Sequence, residues 1–285
     1  MMETVLRGPS SEVCIGPGLP TVIIGERINP TGRKSFSAEL QAGDLSRVAH
    51  DAMAQAGAGA VVLDVNVGAA GVDEVALLPR AVELVQQTVD LPVSIDSANP
   101  AALRAALAVA RGRALVNSVN GEKAKLEAVL PVVAEYGAAV IALCMDDNGI
   151  PATAEQRLRV AEAILEAAAR YGIGPEDVVL DPLVMSVGAD HTSGAVTLQA
   201  ARLIRERLGC NMTAGASNAS HGMPERDLLN TVWLALLIQA GVNAPICNPL
   251  KNGLAVRAVD LMLGYDEWGM AYIQAYRAVQ KANAG

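Results

Sequence analysis

The chain has 285 residues, of which 52% are hydrophobic and only 3% aromatic. This length is typical of one α/β barrel, and a core of Ala, Val, Leu and Ile suits buried parallel strands covered by Ala-rich helices. The formal net charge is −8, with 22 Lys and Arg against 30 Asp and Glu, and no basic run occurs. Nucleic acid and anionic membranes are therefore poor candidates as partners on electrostatic grounds.

The first twenty residues contain Gly, Pro and Ser without a strong hydrophobic period, and we interpret 1–20 as an N-terminal extension that caps the domain. They contain no apolar leader, and no run of about 18 uncharged apolar residues follows. The four cysteines form no CxxC pair, and the three histidines lack a metal-ligand spacing. The sequence thus predicts free thiols, a cytoplasmic location and no metal site.

From residue 21 onward, short apolar runs alternate with Ala- and Leu-rich stretches of helical period, and we assign 21–285 to one domain. The predicted strands are 21–28, 60–66, 92–96, 114–118, 138–145, 178–184, 211–216 and 245–248. The predicted helices are 44–56, 73–89, 100–110, 122–136, 153–171, 195–208, 225–240 and 251–262, with an extra helix at 266–281. This alternation predicts a single (β/α)8 barrel, the TIM barrel. A doubly wound open sheet is the alternative, but no GxGxxG follows the first strand.

Two helix starts carry clear signals. Asn99 precedes Pro100, which places an N-cap residue before a proline at the first helical position. Thr153 stands three residues before Gln156, the pattern of a capping box. Both signals support the helix boundaries that the hydrophobic period indicates.

Polar residues close most of the predicted strands. Because the carboxyl ends of the strands meet at one face of a TIM barrel, these side chains are expected to form a ring there. Asp accepts hydrogen bonds whereas Asn both donates and accepts, so the ring suits a heterocycle with an amino group, a ring N–H and a ring carbonyl. The strand-end residues include Asp64, Asn66, Asp96, Asn117, Asn120, Asp146, Asp181, Asn218 and Asn248.

Other chemistries find little support in the pattern. Arg27 is the main cation near the strand ends, and no GK[ST] loop, GxSxG or suggestive Cys–His pair occurs. Each polar residue also has a structural alternative: Asp64 could bond the backbone of a neighbouring loop, and Asn66 and Asn120 could order loops. We interpret Asp146 and Asp147 as polar loop residues rather than metal ligands.

Seven short motifs occur in a characteristic order: GERIN (25–29), LDVNVG (63–68), IDS (95–97), VNS (116–118), NGIP (148–151), LDPL (180–183) and SNAS (217–220). In these motifs the chain resembles the pterin-binding methyltransferases that act on methyltetrahydrofolate and a corrinoid protein, including the folate domain of cobalamin-dependent methionine synthase. It is more distantly similar to dihydropteroate synthase. The resemblance covers 21–262 and implies a pterin site at the carboxyl ends of the barrel strands.

The resemblance implies roles for individual residues. Asp96, Asn117 and Asp181 match positions that hydrogen-bond the pterin ring, and Asp64 and Asn66 match a motif lining the same pocket. A further set of accessory positions comprises Glu26, Asn29, Asn120, Met145, Ser217 and His221. Asn218 matches the asparagine near N5 of the folate and is the expected catalytic residue.

The implied reaction moves a methyl group between N5 of tetrahydrofolate and the cobalt of a corrinoid, in either direction. The cofactors are then tetrahydrofolate or 5-methyltetrahydrofolate, and a cobalamin held by a separate corrinoid protein, because no DxHxxG motif is present in the chain. The resemblance also implies a homodimer. Two alternatives are a non-catalytic pterin-binding protein and a dihydropteroate synthase-like transferase, although SNAS and CNPLK stand where the latter needs a basic, pyrophosphate-binding set.

Two segments depart from the expected pattern. In 29–36, Arg33 and Lys34 could contact the glutamate tail of the folate or the corrinoid protein, or could simply lie in a solvated loop. In 220–226, His221 could tune N5 or cap a helix that begins at Pro224.

Overall fold

The computed structural model describes residues 2–284, with side chains described over 2–281; Met1 and Gly285, the outer ends of the two predicted segments, lie outside the described residues. The chain opens with an antiparallel hairpin of β1 (Thr4–Arg7) and β2 (Glu12–Ile15). Eight parallel strands follow. They are β3 (Ile24–Ile28), β4 (Val62–Val65), β5 (Val93–Asp96), β6 (Leu115–Asn120), β7 (Ala139–Leu143), β8 (Val178–Asp181), β9 (Thr213–Gly215) and β10 (Ala244–Cys247).

The eight strands form a barrel, which confirms the predicted fold. Their order is β8-β7-β6-β5-β4-β3-β10-β9, so each strand lies beside its neighbour in sequence and β10 pairs with β3. The ring closes between β8 and β9, where Leu180 and Met212 form a parallel bridge and Leu180 N donates to Asn211 O at 2.9 Å. All eight predicted strands have a counterpart.

Helices cover the outside of the barrel, and every predicted helix has a counterpart. They are α1 (Lys34–Gln41), α2 (Ser46–Gly57), α3 (Glu74–Thr88), α4 (Pro100–Val109), α5 (Lys123–Tyr136), α6 (Ala154–Ala169), α7 (Ser193–Arg207), α8 (Arg226–Ala240), α9 (Pro249–Leu263) and α10 (Met270–Ala284). Asn99 caps α4 and Thr153 forms a capping box with Gln156 at α6, as predicted. Helix α1 was not predicted. Among the described residues, no helix is long and apolar enough to cross a membrane.

The N-terminal hairpin closes the amino-terminal end of the barrel. Leu6 and Ile15 are fully buried and pack in one cluster with residues that begin the barrel strands, including Ile24, Val62 and Leu115. Backbone hydrogen bonds of 2.9–3.0 Å join Arg7 to Arg113, just before β6. The interior is thus sealed at this end, and the strand ends at the opposite face are free to form a site.

Candidate active site

The predicted ring of polar side chains forms at the carboxyl ends of neighbouring strands. Side chains alternate across a strand, and the interior positions of Val62 and Leu115 place Asp64 and Asn117, two residues further on, inside the barrel as well. Asp96 pairs with Asn117 in the β5–β6 register. The structure therefore brings Asp64, Asp96 and Asn117 together, with Asp181 following from β8.

We call the site formed by Asp64, Asp96, Asn117 and Asp181 the cup, and Asp64 forms its floor. The residue is only 3% exposed, and its Oδ1 accepts hydrogen bonds from Ser94 Oγ at 2.7 Å and from Asn117 Nδ2 at 3.0 Å. Burial raises the pKa of Asp64 to about 8, the charge of Asp96 acts in the same direction, and the two hydrogen bonds oppose it. Asp64 is therefore mostly protonated and neutral at neutral pH, whereas an ordinary surface carboxylate is ionised.

Asn66 holds Asp96 in position. Asn66 Nδ2 donates to Asp96 Oδ2 at 2.9 Å, while its Oδ1 accepts from Gly68 N at 2.7 Å. Burial raises the pKa of Asp96, and the carboxylate of Glu74 adds to the effect, whereas the bond from Asn66 lowers it. Since both ends of the Asn66 amide are engaged within the protein, this residue orients a carboxylate and also orders the loop after β4.

Asp181 lies at the end of β8 and is 8% exposed. Its Oδ1 accepts from Leu183 N at 2.8 Å. Burial raises the pKa of Asp181 to about 6, although the Leu183 N–H and the charge of Arg157 pull it down. A group with this pKa is mostly ionised at neutral pH and is an acceptor for a substrate N–H.

Asn218 stands on the rim, on a loop that Glu26 and Arg226 hold. Ser217 Oγ donates to both oxygens of Glu26, at 2.9 and 3.1 Å, and Arg226 Nη2 donates to Ser217 O at 3.0 Å. Burial raises the pKa of Glu26, against the effect of the Ser217 bond and of nearby arginines. The Asn218 side chain is exposed and forms no hydrogen bond with any part of the chain that the structure describes. A loop fixed from below thus presents a free carboxamide.

A glycine gives this carboxamide room. A Cβ atom at Gly215 would lie 2.9 Å from Asn218 Nδ2, which is closer than side-chain atoms tolerate. Gly215 ends β9, directly before the short turn that carries Asn218. Any larger residue here would displace the amide.

The remaining accessory residues divide between the loops of the mouth. Asn29 Oδ1 accepts from Thr31 N at 2.9 Å, and Asn120 exchanges hydrogen bonds of 3.0 Å with the backbone and side chain of Glu122, so both order turns. Met145 is half-buried, and its carbonyl accepts from Gly121 N at 2.7 Å. His221 is exposed and does not cap α8, which begins at Arg226 without a side-chain cap.

The basic segment after β3 has a structural role. Arg33 Nη1 donates to Asp51 Oδ2 at 2.6 Å, also bonds the carbonyl of Arg27, and its guanidinium lies 4.9 Å from the centre of the Phe36 ring. Arg33 is therefore not an ordinary solvated loop residue, because its side chain is only 17% exposed; the contact with the folate tail stays a prediction. Lys34 is exposed.

Sequence reasoning missed three residues that support the ring. Arg157 is 3% exposed, and its Nη1 donates to the carbonyls of Pro182 and Leu183, both at 2.7 Å. Ser94 lies beneath Asp64, and Glu74 Oε2 accepts from Ser97 Oγ at 2.5 Å. Of these residues, only Arg157 could have been recognised in the sequence, because it is a charged residue on the apolar face of α6, between Ala154 and Val160.

The cup presents acceptors at fixed positions. Asp96 Oδ1, Asn117 Oδ1 and Asp181 Oδ2 accept no hydrogen bond from the side chains described over 2–281 or from the described backbone, while the second oxygen or the nitrogen of each group is anchored. Within the same residues, no group of three or more His, Cys, Asp or Glu could hold a metal ion. The arrangement suits a flat heterocycle with several N–H donors.

A TIM barrel with carboxylates and amides on successive strand ends defines a barrel enzyme that binds a polar heterocycle. Residues 25–248 match the family described as pterin binding enzyme, and the chain belongs to that family. It is 31% identical over 264 residues to the methylcorrinoid:tetrahydrofolate methyltransferase of Eubacterium limosum, covering 90% of this chain and 96% of that protein.

Two further relatives are similar in a more limited way, one in the share of its length that is covered and the other in sequence identity. The chain is 30% identical over 243 residues to methionine synthase of Mycobacterium tuberculosis, covering 81% of this chain but only 20% of that much longer protein. A dihydropteroate synthase of Yersinia pestis solved with a pterine-sulfa conjugate superposes with a TM-score of 0.70 at 16% identity, covering 92% of this chain and 100% of that one. At this identity the structural likeness shows the fold alone.

Proposed function

We propose that the chain transfers a methyl group between N5 of tetrahydrofolate and the cobalt of a corrinoid carried by a separate protein. The observation that carries the proposal is the set of anchored acceptors on Asp96, Asn117 and Asp181, together with the free carboxamide of Asn218 in the turn after β9. The identity to the Eubacterium limosum methyltransferase, which extends over 96% of that relative, supports it.

The acceptors fit the edge of a pterin. The 2-amino group and the ring N–H groups of a tetrahydropterin are donors, and Asp96 and Asp181 each keep one oxygen available to them. Asn117 adds an amide oxygen, since its nitrogen is bonded to Asp64. Fixed polar groups of this kind orient the substrate before reaction, which contributes several kcal/mol in favourable cases, on the order of 7 for full preorganisation.

Asn218 acts at N5. When the methyl group moves to cobalt, the electron pair of the broken N5–CH3 bond stays on N5, which takes up a proton from solvent; in the reverse direction the N5 lone pair attacks the methyl carbon and the N5–H proton is released to solvent. A carboxamide N–H aimed at N5 stabilises the electron pair that develops there more strongly in the transition state than in the ground state. The corrinoid supplies the second methyl carrier, so the chain itself needs no nucleophile. The exposure of Asn218 leaves the reacting face open to such a partner.

The direction of transfer depends on the partner. The Eubacterium limosum relative is named for transfer from a methylcorrinoid to tetrahydrofolate, and the methionine synthases contain a matching segment within a longer chain. The same site serves both directions, because the transition state is the same. A dihydropteroate synthase-like reaction is less well supported: Lys251, the cation after β10, is held by Asp227 at 2.8 Å.

The decisive experiment is anaerobic methyl transfer from 5-methyltetrahydrofolate to cob(I)alamin, followed by the visible spectrum. We expect Asn218→Ala to lower kcat by about a hundredfold with folate affinity retained, as for removal of one transition-state hydrogen bond. Asp96→Asn should instead weaken folate binding, which calorimetry measures. Gln199→Ala is the matched control, because this exposed amide bonds only Glu155 on the neighbouring helix.

The outcomes separate the alternatives. Folate binding without transfer to free cobalamin, followed by transfer when a corrinoid protein is supplied, would mean that the protein partner is obligatory. Folate binding without transfer under either condition would mean a non-catalytic pterin-binding protein. Absence of folate binding by the wild type would refute the pterin site itself.

We also propose that the chain acts as a homodimer in the cytoplasm. Leu228, Val232 and Leu236 are 63%, 52% and 43% exposed and follow one another at four-residue intervals along α8. Trp268, which precedes α10 in the sequence, is 87% exposed. An apolar stripe of this kind is typical of an interface between subunits. Light scattering should show a dimer that Val232→Asp weakens, while Val75→Asp on α3 leaves it intact; a monomeric wild type would refute the proposal.

A further inference from the structure

Asp64 has one oxygen fully engaged and one free. Ser94 Oγ and Asn117 Nδ2 both donate to Oδ1, at 2.7 and 3.0 Å, so the two acceptor positions of that oxygen are taken. Oδ2 accepts no hydrogen bond from the described backbone or from the side chains described over 2–281. It is also absent from the fully buried unpaired atoms, so Oδ2 is the part of Asp64 that reaches the cup.

No cation among the groups acting on Asp64 balances a charge there. The charged groups that act on it are Asp96, from β5, and Glu26, from β3, and both are carboxylates. With the residue only 3% exposed, ionisation would place a negative charge close to these two carboxyl groups with little water to stabilise it. These surroundings, with burial as the main cause, raise the pKa of Asp64 to about 8.

We propose that Asp64 binds substrate as a neutral carboxylic acid, whose Oδ2–H donates a hydrogen bond to an acceptor atom of the pterin ring. The proposal rests on the function proposed above. It adds a hydrogen-bond donor to the cup, in which Asp96, Asn117 and Asp181 supply acceptors. A pterin needs both kinds of group, because its carbonyl oxygen and imine-type ring nitrogen are acceptors beside its N–H donors. Asp64 then selects a ring with an acceptor next to its donors.

Three variants distinguish a neutral donor from a charged acceptor, with 5-methyltetrahydrofolate as the probe and calorimetry as the measurement. Asp64→Ala removes the donor and leaves Ser94 and Asn117 without their acceptor, so the affinity should fall about tenfold to a hundredfold. Asp64→Asn keeps an oxygen for both donors and an N–H in place of Oδ2–H, so it should recover to within about threefold of the wild type. Asp96→Asn, at a residue whose Oδ1 is proposed to accept from the substrate, should lower the affinity without such recovery.

The pH dependence gives a second readout. Oδ2–H is present below the pKa of about 8 and is lost as the pH rises through that value. The dissociation constant of the wild type should therefore increase between pH 7 and pH 9, and Asp64→Asn, which cannot ionise, should lack this alkaline change. Purely structural support of the fold by Asp64 would not produce such a difference.

The results bear separately on the two proposals. If the wild type binds the folate and Asp64→Asn loses affinity as severely as Asp96→Asn, Asp64 is a charged acceptor and the inference is wrong. If the wild type does not bind, the proposed function fails and the inference with it. Circular dichroism checks the fold of each variant. If Asp64→Asn does not fold, the carboxyl ¹³C resonance of Asp64 is titrated in the wild type instead. A titration near pH 8 that parallels the folate affinity supports the neutral donor, and the absence of such a titration refutes it.

Discussion

The contact between Glu26 and Ser217 joins residues 191 positions apart and fixes the loop that carries Asn218. Ser217 Oγ lies 2.9 and 3.1 Å from the two carboxylate oxygens. Because Asn218 is the next residue and its side chain forms no hydrogen bond within the described chain, its position depends on this contact and on the bond from Arg226 to Ser217 O. Ser217 and Glu26 are therefore positioning residues in the proposed reaction.

Loss of this contact should appear in kcat rather than in folate affinity. We expect Ser217→Ala to lower kcat by about twofold to tenfold, the value of one hydrogen bond, and to change the dissociation constant of 5-methyltetrahydrofolate little. Glu26→Gln keeps an acceptor for the hydroxyl and should cost less. A double-mutant cycle on kcat measures the coupling; strictly additive effects would show that the two residues do not act through each other.

At this scale the sequence predicted which residues gather but not which atoms remain available. The two-residue spacing of Asp64 and Asn66 predicted that they project to the same side; Asn66 lies one residue beyond β4, and its side chain bonds Asp96 on the neighbouring strand. Whether an amide faces the ligand depends on partners that are distant in sequence: Asn66 is engaged by Asp96, 30 residues later, and Asn117 by Asp64, 53 residues earlier. Local periodicity contains no information about such pairs.

At the scale of elements, helix α6 supports the end of β8 through a buried arginine. Arg157 stands on the apolar face of α6 and donates to Pro182 O and Leu183 O, both at 2.7 Å. Leu183 has a positive φ of 67° and donates its N–H to Asp181. The conformation of this strand end, and with it the direction of the Asp181 carboxylate, is thus set from the neighbouring helix.

Arg157→Lys should loosen this support, because a lysine has one compact ammonium in place of the planar fork of arginine. We expect a loss of about 1–3 kcal/mol in the free energy of unfolding and weaker folate binding, measured by urea denaturation and calorimetry. Arg159→Lys, two residues further along α6 and exposed, is the control. Equal effects of the two changes would show that the buried guanidinium does not matter.

The elements that the sequence did not predict are short. Helix α1 has eight residues and no side-chain cap, and its evidence in the sequence amounts to two buried positions, Phe36 and Leu40. The strands of the hairpin have four residues each. The long α/β repeats were predictable because each contains several periods of its hydrophobic pattern. Helix α1 and the hairpin are too short to show such a period, and they depend on packing against the barrel.

At the scale of the whole molecule, the barrel has one sealed end and one open end. The hairpin fills the amino-terminal end with Leu6 and Ile15, and Asn211 Nδ2 ties it to β9 through hydrogen bonds to Thr4 Oγ1 and Ile15 O at 2.9 and 2.8 Å. The polar cup occupies the other end. At the sealed end the buried polar groups Thr4 and Asn211 bond each other and the backbone, whereas at the open end several oxygens of the cup stay available for a substrate.

The division predicts that stability and activity can be changed separately. Leu6→Ala should lower the free energy of unfolding by about 2–5 kcal/mol, because it leaves a cavity in a fully buried cluster. The neighbouring Arg7→Ala removes only an exposed ion pair with Glu12 and should cost at most about 1 kcal/mol. Both variants should retain wild-type kcat at temperatures where unfolding curves show them folded. A Leu6→Ala protein that is folded yet slow would mean that the packing of the sealed end reaches the residues of the cup, and the two ends would then have to be treated as one cooperative unit.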